Sequence, residues 1–298
     1  MNRRAFLKQS SAAVAACGLL PHLARSAETA KPLVGTQIYG WGQYYEREGK
    51  SVWAHLGEVL SPIRDAGYDY VEGFLNAKPE ANLQFAEQLK SKGLKPVALY
   101  TGGSLHDAAT ADEKVAQLLA SAKAAAEGGF SVINCNPEAV GRGKTDAELE
   151  IQGKSLQTLG DELNMLGLKL GIHNHTPEMV NGAREFHANF KGTDPKTVGF
   201  CYDVHWVYRG GVQPAEALAA YGERIVSWHL RQSRDEIWWE DLDTGDVDYG
   251  FIANYAREHR LPQVFTVELA LESGTKITRS VVENHARSRE FIRRVFEV

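Results

Sequence analysis

Eight short apolar runs alternate with eight helical stretches along this chain, and that alternation restricts the fold more than any other feature. The strand-like runs are 33–39, 68–74, 94–100, 130–136, 168–174, 197–203, 224–231 and 263–269. Several are rich in Val, Ile, Tyr and Phe, which suit a pleated, buried surface. The helical stretches are 51–66, 78–92, 112–128, 147–167, 181–190, 213–221, 247–259 and 278–296. In 112–128, Val115, Leu118, Leu119 and Ala122 recur at helical spacing. Ser51 stands where a helix N-cap is needed, and Gly67 follows the same helix. Strict alternation implies a parallel sheet. Eight units in 298 residues favour a closed barrel over an open, doubly wound sheet. The expected fold class is α/β, a single (β/α)8 TIM barrel filling residues 28–298. No G-x-G-x-x-G follows the first run and no G-x-x-x-x-G-K-[ST] occurs, so dinucleotide and P-loop readings lose ground.

Residues 1–27 read as an export signal. Arg3-Arg4 is followed by Ala5-Phe6-Leu7-Lys8 and a weakly apolar run from Ser10 to Leu20, a pattern that resembles a twin-arginine signal. The run is too short, and too broken by Ser, Gly and Pro, for a stable membrane span. Ala24-Arg25-Ser26 places cleavage near residues 26–27, and the mature chain is expected in the periplasm. Val14-Ala15-Ala16-Cys17 also fits a lipoprotein box with a lipid on Cys17, but that leaves a very short apolar segment. Past the signal only Cys135 and Cys201 remain, in separate strand-like runs, and they are expected to be unpaired. The net charge of −5 and the lack of a basic run disfavour nucleic acid or an anionic membrane as partner. A small molecule is the expected partner, with homo-oligomerisation left open.

Polar residues collect at the ends of the apolar runs. In a barrel of this kind the C-terminal strand ends share one mouth. Asp203 closes VGFCYD, His229 lies in RIVSWHL and Glu268 ends QVFTVEL. A carboxylate, an imidazole and a second carboxylate form a mixed N/O set for a borderline or hard divalent metal. The fifth run supplies His173 and His175, two residues apart and so on one face, with Glu178 beyond. Asp203 could instead cap the next helix, and a single strand histidine could simply be a core residue. His205, Trp206, Arg231, Asn136 and Glu72 lie at neighbouring strand ends, where they could bind sugar hydroxyls or orient the ligands. Asn134 and Glu138 are further candidates, and 233–246 is a long polar insertion after the seventh run.

The segment 197–232, with Asp203, the helix from Gly211 to Leu218 and the strand from Arg224 to Arg231, resembles the sugar isomerase/epimerase family with the xylose-isomerase-like barrel. Gly245-Asp246-Val247-Asp248-Tyr249, Val267-Glu268, the run from Gly67 to Glu72 and the run from Gly171 to His175 extend the similarity over nearly the whole mature chain. The resemblance implies metal ligation by Asp203, His229 and Glu268. His173 takes the fifth-strand position where epimerases of the family carry a Glu, Arg231 stands where Lys is usual, and Trp206 falls where epimerases have a His. The implied activity is metal-dependent sugar isomerisation or epimerisation, by proton transfer next to a carbonyl via an enediolate. Glu268, Glu178 or His175 would be the base, and Mn²⁺ the first choice of metal, with Co²⁺, Mg²⁺ or Zn²⁺ also compatible. A lyase or dehydratase acting on a keto-sugar or keto-glycoside is the main alternative, since one confident carboxylate beside the metal suits a single-base elimination. A non-enzymic sugar-binding protein is the second alternative.

Overall fold

The computed structural model describes residues 31–298, so the expected signal segment lies outside the described residues. Seven parallel strands run in chain order as β1 (Leu33–Gln37), β2 (Tyr70–Phe74), β3 (Ala98–Gly103), β4 (Val132–Pro137), β5 (Lys169–Ile172), β6 (Val198–Asp203) and β7 (Ile225–Leu230). A short antiparallel ribbon follows, β8 (Ser233–Arg234) with β9 (Ile237–Trp238). The eighth barrel strand, β10 (Val264–Val267), pairs with both β7 and β1 and closes the sheet. The helices are α1 (Ile38–Arg47), α2 (Leu56–Asp65), α3 (Pro79–Ser91), α4 (Ala111–Gly128), α5 (Asp146–Met165), α6 (Thr176–Lys191), α7 (Val204–Arg209), α8 (Pro214–Tyr221), α9 (Tyr249–Glu258) and α10 (Val281–Phe296). This is the expected (β/α)8 barrel.

Side chains fill the barrel in layers. Tyr70, Ala98 and Val132 pack at the bottom with the partly buried Leu33, Val226 and Val264. Gly35 makes room for the Tyr70 ring, because a Cβ there would lie 2.3 Å from it. The next layer is polar but paired. The Tyr70 hydroxyl meets Thr266 Oγ1 at 2.8 Å, and Asn134 donates to Glu72 at 2.6 Å while accepting from Ser227 at 2.7 Å. Gly171 is small for the same reason as Gly35, since a Cβ would come within 2.5 Å of Asn134 Oδ1. Cys201 faces this interior, Cys135 packs in the apolar layer under the helices, and both thiols are free.

Four local expectations are corrected. The first strand stops at Gln37, whose side chain accepts from Tyr39 N and turns the chain straight into α1. Ser51 does not cap α2; a 3-10 turn at Trp53–His55 intervenes, and α2 starts without a side-chain cap. The helix expected at 181–190 begins at Thr176 and is broken over Val180 to Ala183, where Asn181, Gly182 and Ala183 have φ of 56°, 70° and 57°. Asn and Gly tolerate that left-handed backbone, whereas Ala183 is strained in it. A further helix, α7, follows β6 directly.

Candidate metal centre

Register brings the key residues to one level. A bulge between Phe200 and Cys201 resets β6 so that Asp203 pairs with His229 on β7, and His229 is level with Thr266 on β10. His173 follows β5 and Glu268 follows β10 on the same rim. His173, Asp203, His229 and Glu268 each offer one ligand atom, all lying within 4.8 Å of one another, and all four residues are buried. Nε2 of His173 is 3.3 Å from Asp203 Oδ2, and Nδ1 of His229 is 2.8 Å from Glu268 Oε2. Asp203 uses its two oxygens differently. Oδ1 accepts from Trp206 N at 2.8 Å and caps α7, while Oδ2 faces His173 and Arg231. The cap is present, and it leaves the other oxygen of this side chain available for the ligand reading.

Charge balance supports a cation. Glu72, Asp203 and Glu268 are buried carboxylates packed on the same cluster, and Arg231 is the guanidinium among them. Metal ligation requires neutral imidazoles, and with them the group carries formally two negative charges that a divalent cation would balance. Without a metal, burial opposes a charge on His229, but Cys201 and Glu72 outweigh it and raise the pKa well above the usual imidazole range, so a proton offsets one of the two. Nδ1 of His173, Oε2 of Glu72 and Nε of Arg231 are buried without a hydrogen-bond partner. The residues therefore fit a divalent metal. Burial alone would raise the Asp203 carboxyl, but Arg231 and His173 hold it down to about 2. Burial likewise opposes ionisation of Glu268, and Arg231 and His229 keep it well below the usual range.

Arg231 lies 2.7 Å from Glu268 Oε1 and 3.2 Å from Asp203 Oδ2. Its guanidinium lies over the rings of Trp206, at 5.5 Å, and Trp238, at 4.4 Å. The β8–β9 ribbon thus covers the centre through Trp238. Glu72, read as either a sugar contact or a residue orienting a ligand, is fully buried beneath the cluster with Oε2 2.7 Å from His229 Nε2, off the line of a hydrogen bond. It backs His229 and does not face the mouth. His205 is also buried; its Nδ1 accepts from Trp238 Nε1 at 3.2 Å, and burial lowers its pKa to about 4.

His175 is the open histidine of the pair. Asn136 donates to the His173 carbonyl at 3.1 Å, which turns its Oδ1 toward His175 Nδ1, 3.2 Å away. That contact sets the proton on Nδ1 and leaves Nε2 as a free acceptor. Burial, with His173 beside it, pushes the His175 pKa down to about 3, so the ring is neutral. Trp206 packs edge-on against it at 5.4 Å. Glu178 is turned away from the four donors: its Oε2 accepts from His175 N at 2.6 Å, and burial raises its pKa to about 7. Two site residues escape the sequence reading. Tyr100 ends the third apolar run, and its ring is 5.2 Å from His173 and 6.3 Å from His229. Tyr249 receives Arg231 N on its hydroxyl at 3.1 Å and fixes that backbone. The two-residue strand period reaching Tyr100 was the available signal; Tyr249 closes the Gly245–Tyr249 segment that carried the resemblance, but its contact with Arg231 was not legible there.

A closed parallel barrel with a buried carboxylate–imidazole cluster at its C-terminal rim defines a TIM barrel with a candidate metal site. Residues 60–295 match xylose isomerase-like TIM barrels, and the chain belongs to that family. An inosose dehydratase of Geobacillus kaustophilus (strain HTA426) is 33% identical over 93 residues, covering 31% of this chain and 30% of that protein. A sugar phosphate isomerase/epimerase from Parabacteroides distasonis ATCC 8503 superposes with a TM-score of 0.72 at 20% identity, over 90% of this chain and 95% of that one. A 3-keto-D-glucoside 4-epimerase from E. coli gives 0.69 at 15% identity, over 89% and 100%. At such identities the structural likeness shows the fold alone.

Proposed function

We propose that this protein is a metal-dependent sugar isomerase/epimerase that moves a proton on the carbon next to a carbonyl. The observation that carries the reading is the buried set of His173, Asp203, His229 and Glu268 with all four donor atoms within 4.8 Å. A divalent metal held there, Mn²⁺ by first choice, would supply Lewis-acid polarisation of the substrate carbonyl. Arg231 is held in place by Trp206 and Trp238 beside Asp203 and Glu268, where it keeps both carboxylates ionised. His175 Nε2 is the acceptor placed for the proton from carbon, with Asn136 keeping the other ring nitrogen protonated; burial makes it a weak base, so the transfer depends on polarisation of the neighbouring carbonyl. Glu268 and His175 sit on non-adjacent parts of the rim, since β10 and β5 are separated by β7 and β6 in the barrel. Two proton carriers at different positions on the rim suit removal at one place and return at another. Glu72 and Glu178 support this arrangement, as the backing of His229 and as a bond to the His175 backbone.

Elimination is the second reading, and one feature favours it. Glu268 is tied to both Arg231 and His229, which leaves His175 as the one unencumbered base. The likeness to inosose dehydratases over about a third of the chain points the same way. Incubating metal-loaded protein with keto-sugars in D₂O separates the readings. Solvent deuterium entering the carbon beside the carbonyl without loss of product supports isomerisation or epimerisation. Loss of water or an aglycone supports the lyase, and no exchange with any keto-sugar would refute both. Residues 1–27 are proposed as a twin-arginine signal on the sequence alone; replacing Arg3 and Arg4 with Lys should retain the protein in the cytoplasm, and unchanged export would contradict it.

A further inference from the structure

One feature of the mouth plays no part in the proton chemistry. On the β2 side a cleft of about 490 Å³ opens between the turn at Trp53–His55, the end of β2 and α3. Trp53 and Phe74 line it and remain 46% and 39% exposed. Phe74 is two residues beyond Glu72 on β2, so the strand period aims it into the mouth instead of the helix layer. Its ring is 6.2 Å from Trp53 and 6.0 Å, edge-on, from Tyr100. Tyr100 in turn touches His173 and His229. Two rings therefore join the cleft to the metal centre. Trp53 is braced edge-on by Phe85 at 6.0 Å, so its exposed face is held ready. Asn76, Gln84 and Gln88 add amides, and no charged side chain lines the cleft among the described residues.

We propose that this cleft is a subsite for a second, neutral glycosyl unit, so that the substrate is a glycoside whose reacting sugar ring lies at the metal centre. The inference rests on the sugar reading above and specifies its substrate class. The C–H face of a sugar ring matches an exposed aromatic plane, and its hydroxyls match amides. A phosphorylated unit would find no cation here. The volume falls within the roughly 300–1,000 Å³ usual for small-molecule sites. Continuity through Phe74 and Tyr100 lets one ligand reach both places.

Calorimetric titration of the metal-loaded protein with glucose, cellobiose and maltose tests the subsite. At least one disaccharide should bind about tenfold more tightly than glucose, the scale of one added aromatic contact. Trp53→Ala should remove most of that advantage and leave glucose affinity unchanged, while Trp53→Phe should keep it. If glucose binds and neither disaccharide gains, or if Trp53→Ala keeps the gain, the subsite is wrong and the sugar reading survives. If none of the three sugars binds, the subsite is wrong, and the sugar reading is decided separately by the keto-sugar exchange experiment.

Discussion

Asp203 illustrates how one side chain can satisfy two readings at once. Its Oδ1 caps α7 while Oδ2 joins the donor cluster, so local spacing alone could not choose between them. Asp203→Asn keeps a capping oxygen and loses the charge. It should retain wild-type thermal stability within about 1 kcal/mol and lose the metal, whereas Asp203→Ala should lose both. Wild-type metal content in the Asn variant would contradict the assignment. The histidines follow a similar logic. The spacing placed His173 and His175 on one face, but only the Asn136 contact reveals that they have different tasks. His175→Gln should lower turnover by roughly 10²–10⁴-fold at unchanged metal content. Loss of metal in that variant would make His175 a ligand instead. Glu72 was legible as a strand-end carboxylate that could bind a sugar hydroxyl or orient a ligand, and spacing could not choose, because depth inside the barrel depends on register with β1 and β3.

The eight barrel strands were legible because a buried parallel strand is a short apolar run, whatever surrounds it. The missed pieces were those set by tertiary partners. The break in α6 places Ala183 in a left-handed conformation that its sequence would not choose, and α1 depends on a cap from Gln37. The polar insertion at 233–246 was placed over the mouth by its position after the seventh strand, but its fold was not legible: it forms a ribbon that lays Trp238 between Arg231 and Arg209, at 4.4 and 4.9 Å. Its far end is pinned by Glu240, which accepts from Thr278, Arg279 and Asn284. Glu240→Ala strips Thr278 of its acceptor while Arg279 keeps Asp241 and Asn284 keeps Tyr44, and should cost about 1–3 kcal/mol in urea unfolding. A loss below about 0.5 kcal/mol, the scale of an ordinary surface change, would show that the ribbon is held by other contacts.

Closure of the barrel ties the two ends of the described chain together, and His285 sits in that seam. The ring on α10 packs 4.4 Å from Trp41 on α1, and the Tyr68 hydroxyl donates to the His285 carbonyl at 2.8 Å. Burial lowers its pKa to about 4. The unfolded chain, with a histidine near 6.5, then binds more protons than the folded one in this interval, so stability rises with pH between about 4 and 6.5. His285 alone should contribute about 3 kcal/mol to the loss on acidification through that window. His285→Leu should flatten the urea-midpoint slope relative to wild type, and an equal slope would rule the residue out. Chain topology, with the identity of the rim residues, was readable from the sequence; the distances that turn them into one cluster were not. Elemental analysis of protein purified without added metal, alongside Asp203→Ala and His229→Ala, decides whether that cluster is what it is taken to be. A single divalent ion per chain in the wild type and none in either variant is the predicted result, and full occupancy in both variants would contradict it.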